Sequence, residues 1–326
     1  MTTPQFILFP FRSVRCSRWI GLSVSLLALY LASSLRAQDD QSAQIATQGD
    51  LINHEGTETL QQNAQFRITD PNLGDIDLVS RTPRPKMFSL STNQSFNFTT
   101  NAFLAQSGEQ DAFFWNGRLD ASFVPYATRD FTPRLTFEQN FFRYTRFSRL
   151  DFDSQTLQLD IKYDLNRNDT WWINGSYGVS RLYAPRGSAG EFYRYGLANI
   201  SVNHYMPIPQ TPVYLLCSAG VYDRHGESSV FDRAAPYLTV AALYRPIDQV
   251  QISAYLRPEY QFYTNDPIDS SRRDFNLSIG SGIAWTPNEH VSIGASLAFV
   301  GNYSNAGGRS YNVFSPSIAV GAQISF

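Results

Sequence analysis

The stretch "FSPSIAVGAQISF", residues 314–326, decides the fold class. Its even positions are Phe314, Pro316, Ile318, Val320, Ala322, Ile324 and Phe326, all apolar, and its odd positions are Ser315, Ser317, Ala319, Gly321, Gln323 and Ser325. A period of two belongs to a β-strand with one oily face and one face of small or polar groups. A soluble sandwich core or a lipid bilayer would each satisfy the oily face, so the rest of the chain must discriminate.

It does so by repetition. Alternating segments recur near 87–104, 111–126, 131–146, 154–165, 170–184, 191–206, 212–224, 235–245, 249–263, 274–286, 290–303 and 311–326, about twelve in all. About ten residues, rising 3.3 Å each and tilted near 40°, cross the ~25 Å apolar band of an outer membrane. The connections alternate as well. "YATRD", "LNRND", "PIPQT", "RPID" and "TPNEH" are tight, while "AQSGEQDA", "TRFSRLDFDSQ", "APRGSAGE", "DRHGESSVFDRA", "NDPIDSSRRD" and "SNAGGRS" are longer. This layout predicts an all-β fold, a transmembrane antiparallel up-and-down β-barrel with periplasmic turns and extracellular loops. Leu157, Leu159, Ile161 and Tyr163 oppose Gln158, Asp160 and Lys162, and Val291, Ile293, Ala295, Leu297 and Phe299 oppose Ser292, Gly294 and Ser296. The polar faces are largely Gly and Ser rather than the Lys and Glu of a solvated surface. Phe113, Trp115, Tyr126, Trp171, Trp172, Trp285 and Tyr303 lie near segment ends, where interfacial girdles sit.

Composition and the first residues agree. Aromatic residues at 14% argue against disorder, and a mean hydropathy of −0.27 argues against a helical membrane protein. Arg12, Arg15 and Arg18 precede the apolar run "WIGLSVSLLALYLASSL", so residues 1–37 read as a cleaved secretory signal peptide. Cleavage near Ala37 also removes Arg36 and takes the net charge from −2 to −6. Cys217 is then the only cysteine left, which excludes an internal disulfide. Residues 38–86 are polar, end in "RTPRPK", and read as a short disordered periplasmic extension or a plug; 87–326 form the barrel.

The terminal "GAQISF" resembles the closing strand by which the barrel-assembly machinery reads outer-membrane barrels, through Gly321, Ile324 and Phe326. Val320 departs from that pattern, which prefers a polar residue there. The stretch "FEQNFFRYTRFSRLDFDSQTLQLDIKYDLNRNDTWWINGSYGVSRLY", residues 137–183, resembles the putative β-barrel porin families of Gram-negative bacteria. The resemblance implies an outer-membrane barrel and supplies no catalytic residues.

A barrel's functional surface is its lumen. Alternation points Arg118, Asp120, Arg134, Glu138, Asp160, Lys162, Asp164, Arg257 and Glu259 inward, and the last three segments contribute Ser, Gly and Asn. These charges line an aqueous path for small hydrophilic solutes, or they pair with one another and fill a closed lumen. Arg143, Arg146 and Arg149, interleaved with Tyr144 and Phe147, are read as lipopolysaccharide contacts, with an ordinary rim paired to Asp151 and Asp153 as the alternative. The expected role is a non-enzymatic, porin-like passive channel or a structural surface protein. Competing readings are a lipid hydrolase built around His225 in "DRHGESS", with Asp223, Glu227 and Ser228 nearby, and a barrel associated with exopolysaccharide export. His54, His204 and His290 are scattered, so no metal site and no cofactor is expected. A net acidic chain gives no support to nucleic-acid binding. In "VYLLCSAGVY" Cys217 shares parity with Val213, Leu215, Ala219 and Val221 and is expected to face lipid.

Overall fold

The computed structural model describes residues 86–326 except 129, 167–169, 186–189 and 267–268. The signal segment, His54 and the extension up to residue 85 lie outside the described residues. Twelve strands follow one another: β1 (Phe88–Thr99), β2 (Ala112–Phe123), β3 (Phe131–Tyr144), β4 (Phe152–Asp164), β5 (Trp171–Tyr183), β6 (Glu191–Pro207), β7 (Val213–Gly226), β8 (Arg233–Ile247), β9 (Val250–Tyr263), β10 (Arg273–Asn288), β11 (Val291–Ser304) and β12 (Tyr311–Ser325). Each pairs with the next, and β12 pairs back to β1, giving a closed barrel. All ladders are antiparallel, and the seam runs from Ser89↔Ser325 to Asn97↔Ser317.

Closure leaves no open sheet edge, the condition for backbone in hydrocarbon. The even strand count places Lys86 and Phe326 on one rim with the connections 124–130, 165–170, 208–212, 248–249 and 289–290, the periplasmic rim of such barrels. The loops of the opposite rim depart from the sequence reading in both directions. Of "TRFSRLDFDSQ", residues 145–151 form the connection and the last four continue into β4, which starts at Phe152. Residues 101–104, read as the end of the first strand, instead leave it and turn inward, where Ala102 and Leu104 are buried.

The two faces separate cleanly. Leu157, Leu159 and Ile161 point outward and stay exposed, while Phe152 and Ser154, of the opposite parity, are buried. Most of the expected girdle faces outward, including Phe113, Tyr126, Trp171, Trp285 and Tyr303. Trp172 does not. It follows Trp171 directly, so its parity turns it inward, onto Tyr205, Leu216 and Ala241. His204 stacks on Trp171 at 3.9 Å on the outward face. Cys217 sits between His204 and Val240 in the ladders, with outward parity.

Candidate functional site

The lumen changes character along its length. In the outer half, one apolar cluster unites Phe142 of β3, Phe152 of β4, Leu182 of β5, Tyr193 and Tyr195 of β6 and Val313 of β12. β3 to β6 are consecutive neighbours in the sheet and β12 is not one of them, so the cluster extends beyond a single wall. Loop residues Ala102, Leu104, Leu150 and Phe231 join from above. Asn101 staples the first loop inward: its amide donates to the Ala105 carbonyl at 2.7 Å and the Asn312 carbonyl at 3.2 Å, and its side-chain oxygen accepts the Ala105 N–H at 2.9 Å. Leu104 is held at φ +51, a left-handed conformation unusual for leucine.

Beside this cluster, β7, β9 and the β9–β10 connection carry buried arginines stacked on tyrosines. Arg224 lies 4.1 Å over Tyr195, Arg257 4.0 Å over Tyr237, and Arg272 3.8 Å over Tyr263. Arg272 holds Asp266 at 2.9 Å and Asp274 at 2.5 Å, and Asn302 donates to Asp274 at 2.8 Å. Glu259 accepts from Arg257 at 3.1 Å, from Gln261 at 2.5 Å and from the Tyr222 hydroxyl. Burying ions costs desolvation, and only such multiple charge-assisted bonds offset it. Asp274, Val300 and Val313 are all buried here, so β10–β12 bring more than the small neutral groups expected of them.

The periplasmic half is different. Its β10–β12, β1 and β2 wall carries Ser91, Asn93, Ser292, Gly294 and Ser296, and a cavity of about 510 Å³ opens beside Ser91, Asn93, Arg118, Asp120, Asn288 and His290. Gly321 is fitted tightly against β11, since a Cβ there would stand 2.6 Å from the Ser292 hydroxyl.

The sequence-predicted charges fall in two places. Arg118 bonds Asp120 at 2.8 Å and Glu138 at 2.9 Å, and Ser91 and Asn140 complete this network through Asp120 and Glu138. Arg134 stands opposite Asp160 in the β3–β4 ladder, and Lys162 reaches Asp164 at 2.9 Å. Arg257 and Glu259 lie in the filled half, apart from the others. Parity alone selected these positions. It did not single out Arg224, Arg233, Arg272, Asp266 or Asp274, although "EYQFY" at 259–263 puts Glu259, Gln261 and Tyr263 on one face.

The three arginines of the outer rim separate too. Arg143 points outward and pairs with Asp153 at 2.6 Å. Arg146 reaches Asp111 at 3.8 Å and Arg149 lies 4.7 Å over Phe103, both in the loops above the barrel. His225 faces outward at the end of β7, with Nε2 2.5 Å from Asp223 and Nδ1 3.9 Å from Asp232. Among the described residues no hydrogen bond joins it to Ser228, and no group of His, Cys, Asp and Glu could hold a metal ion. Phe326, the terminal aromatic, exchanges backbone hydrogen bonds with Phe88 at 2.9 and 3.0 Å, and the two rings stack at 5.9 Å.

No protein-family model matches the chain, and no curated protein sequence matches it. Among solved structures it is similar to an outer membrane channel from Pseudomonas putida F1, with 12% identity over 79% of this chain and 100% of that one and a TM-score of 0.53. It is also similar to the translocator domain of the autotransporter NalP from Neisseria meningitidis, with 12% identity over 86% and 98% of the two chains and a TM-score of 0.48. LpxR from Salmonella typhimurium gives 11% identity over 71% and 99%, with a TM-score of 0.42. At these identities the similarity concerns the fold: this chain is a closed twelve-stranded barrel of the Gram-negative outer-membrane kind.

Proposed function

We propose that this outer-membrane β-barrel is a non-enzymatic structural surface protein, sealed in its outer half and open only toward the periplasm. The observation that carries this reading is the apolar cluster in which the β3–β6 wall, the inward-turned loop residues Ala102 and Leu104, and Val313 of β12 are buried together. Water and ions crossing the barrel would have to displace Phe142, Leu182 and Tyr193, together with the buried Arg272 ion cluster. Its partners in this reading are outer-leaflet lipid, including lipopolysaccharide, and the barrel-assembly machinery acting on Gly321, Ile324 and Phe326.

A passive channel for small hydrophilic solutes is the second reading, favoured by the cavity beside Arg118 and Asp120. Single-channel recording in planar bilayers separates the two. The sealed barrel gives no conductance steps, while deletion of residues 101–105, which withdraws Ala102 and Leu104, raises current in the same bilayers. Uniform steps from the intact protein would establish the channel instead.

A further inference from the structure

The outward face is not uniform around the barrel. Near the outer rim, β9–β12 and β2 present aromatic rings to the membrane, including Phe262, Phe275, Tyr303, Phe314 and Phe113. At the same end, β3–β6 present a polar row. Gln139 pairs with Gln155, Gln155 with Arg181, and Arg181 with Arg194, one residue from each of four adjacent strands.

The last pair is the informative one. Two like charges directly opposite each other in a ladder destabilise it unless an anion lies between them. Glu191 lies between them but unevenly, bonding Arg194 at 2.7 Å and standing at the edge of ion-pair distance, 3.9 Å, from Arg181. The two arginine side chains remain 49% and 43% exposed on the outward face. Glu227, the other carboxylate in reach of Arg194, is 3.9 Å away. A phosphate oxygen fan suits two forked guanidiniums, which donate in parallel pairs. Below them on the same face Val179 stands opposite Gly196, over which the Tyr177 ring lies, an apolar and aromatic surface for the chains of a lipid.

We propose that Arg181 and Arg194 form a lipid-facing site for the phosphate of an outer-leaflet glycolipid. The proposal rests on the outer-membrane reading and gives its lipid partner a location. It places the contact one strand pair away from Arg146 and Arg149, which belong to the roof.

The test uses the full-length mature protein, extracted from outer membranes and exchanged into detergent containing bis-phosphorylated lipid A, with native mass spectrometry as the readout. The intact protein retains lipid A. The Arg181→Gln/Arg194→Gln variant retains about tenfold less, as expected for losing a charge-assisted contact. Arg146→Gln retains it fully. Arg181→Lys keeps the charge, loses the fork and falls by a few fold, which keeps the idea testable if the double variant does not fold. Equal retention by the intact protein and these variants overturns the proposal. So does displacement of the lipid by millimolar inorganic phosphate, which would mean a free-anion site, or a dimer that dissolves in the double variant, which would mean a second copy occupies the face. Recovery of the protein outside the outer-membrane fraction would instead count against the underlying localisation.

Discussion

The two halves of the lumen are built on the same strands with the same alternation, yet they end differently. In the outer half, inward positions on the β3–β6 wall hold Phe142, Phe152, Leu182, Tyr193 and Tyr195, and these pack side by side under the inward-turned Ala102 and Leu104. In the periplasmic half, most inward positions on β10–β12, β1 and β2 hold serine, glycine or asparagine, and these bond along the wall. Ser89 meets Ser122 at 2.5 Å and Ser296 meets Ser317 at 2.7 Å. Parity therefore sets which way a side chain points, and its size decides whether the barrel is filled. The exception, Trp172 with Tyr205 and Leu216 on β5–β7, follows the same rule, because the residues there are large.

The contrast can be broken by mutation. Arg272→Ala removes the shared partner of Asp266 and Asp274, both fully buried, and should cost about 3–5 kcal/mol in urea unfolding. A loss below about 1 kcal/mol would show water in the outer half. Leu182→Ala leaves a hole in the apolar cluster and should cost about 2–4 kcal/mol in the same assay, with no rise in conductance from a single truncation. Arg118→Ala lies at the boundary. Its side chain is 12% exposed and Glu138 keeps Asn140 as a partner, so about 1.5–3 kcal/mol is expected. Lys162→Ala, in the periplasmic half and 30% exposed, should change stability by less than about 1 kcal/mol, lessened further by salt. If Lys162→Ala proves as costly as Arg272→Ala, the two halves are not different environments.

The fold was legible because alternation is a local property. A strand such as 157–163 shows its two faces within seven residues, and turn residues mark where it stops. The filling of the lumen is not local. Phe142 and Val313 join one cluster only after the sheet has closed, and no window of sequence contains both. Runs such as "FFRY" at 141–144 also place aromatics on both faces, so alternation there does not say which ring is the girdle and which the plug. The arginine rim shows the same limit. Arg143, Arg146 and Arg149 are neighbours in sequence but separate in space, whereas Arg181 and Arg194 are apart in sequence and opposite in the ladder.

The seam between β1 and β12 sets the order of events in making this protein. It joins the strands farthest apart in the sequence, so it closes the longest loop and bears the largest entropic cost of any pairing in the sheet. Until it forms, β1 and β12 each carry a row of unsatisfied backbone amides and carbonyls, which hydrocarbon does not tolerate. An eleven-twelfths barrel is therefore not a resting place in the membrane. β1 has to wait with its edge shielded while every other strand is synthesised and delivered, and the Phe88–Phe326 contact forms as the latch that ends the wait.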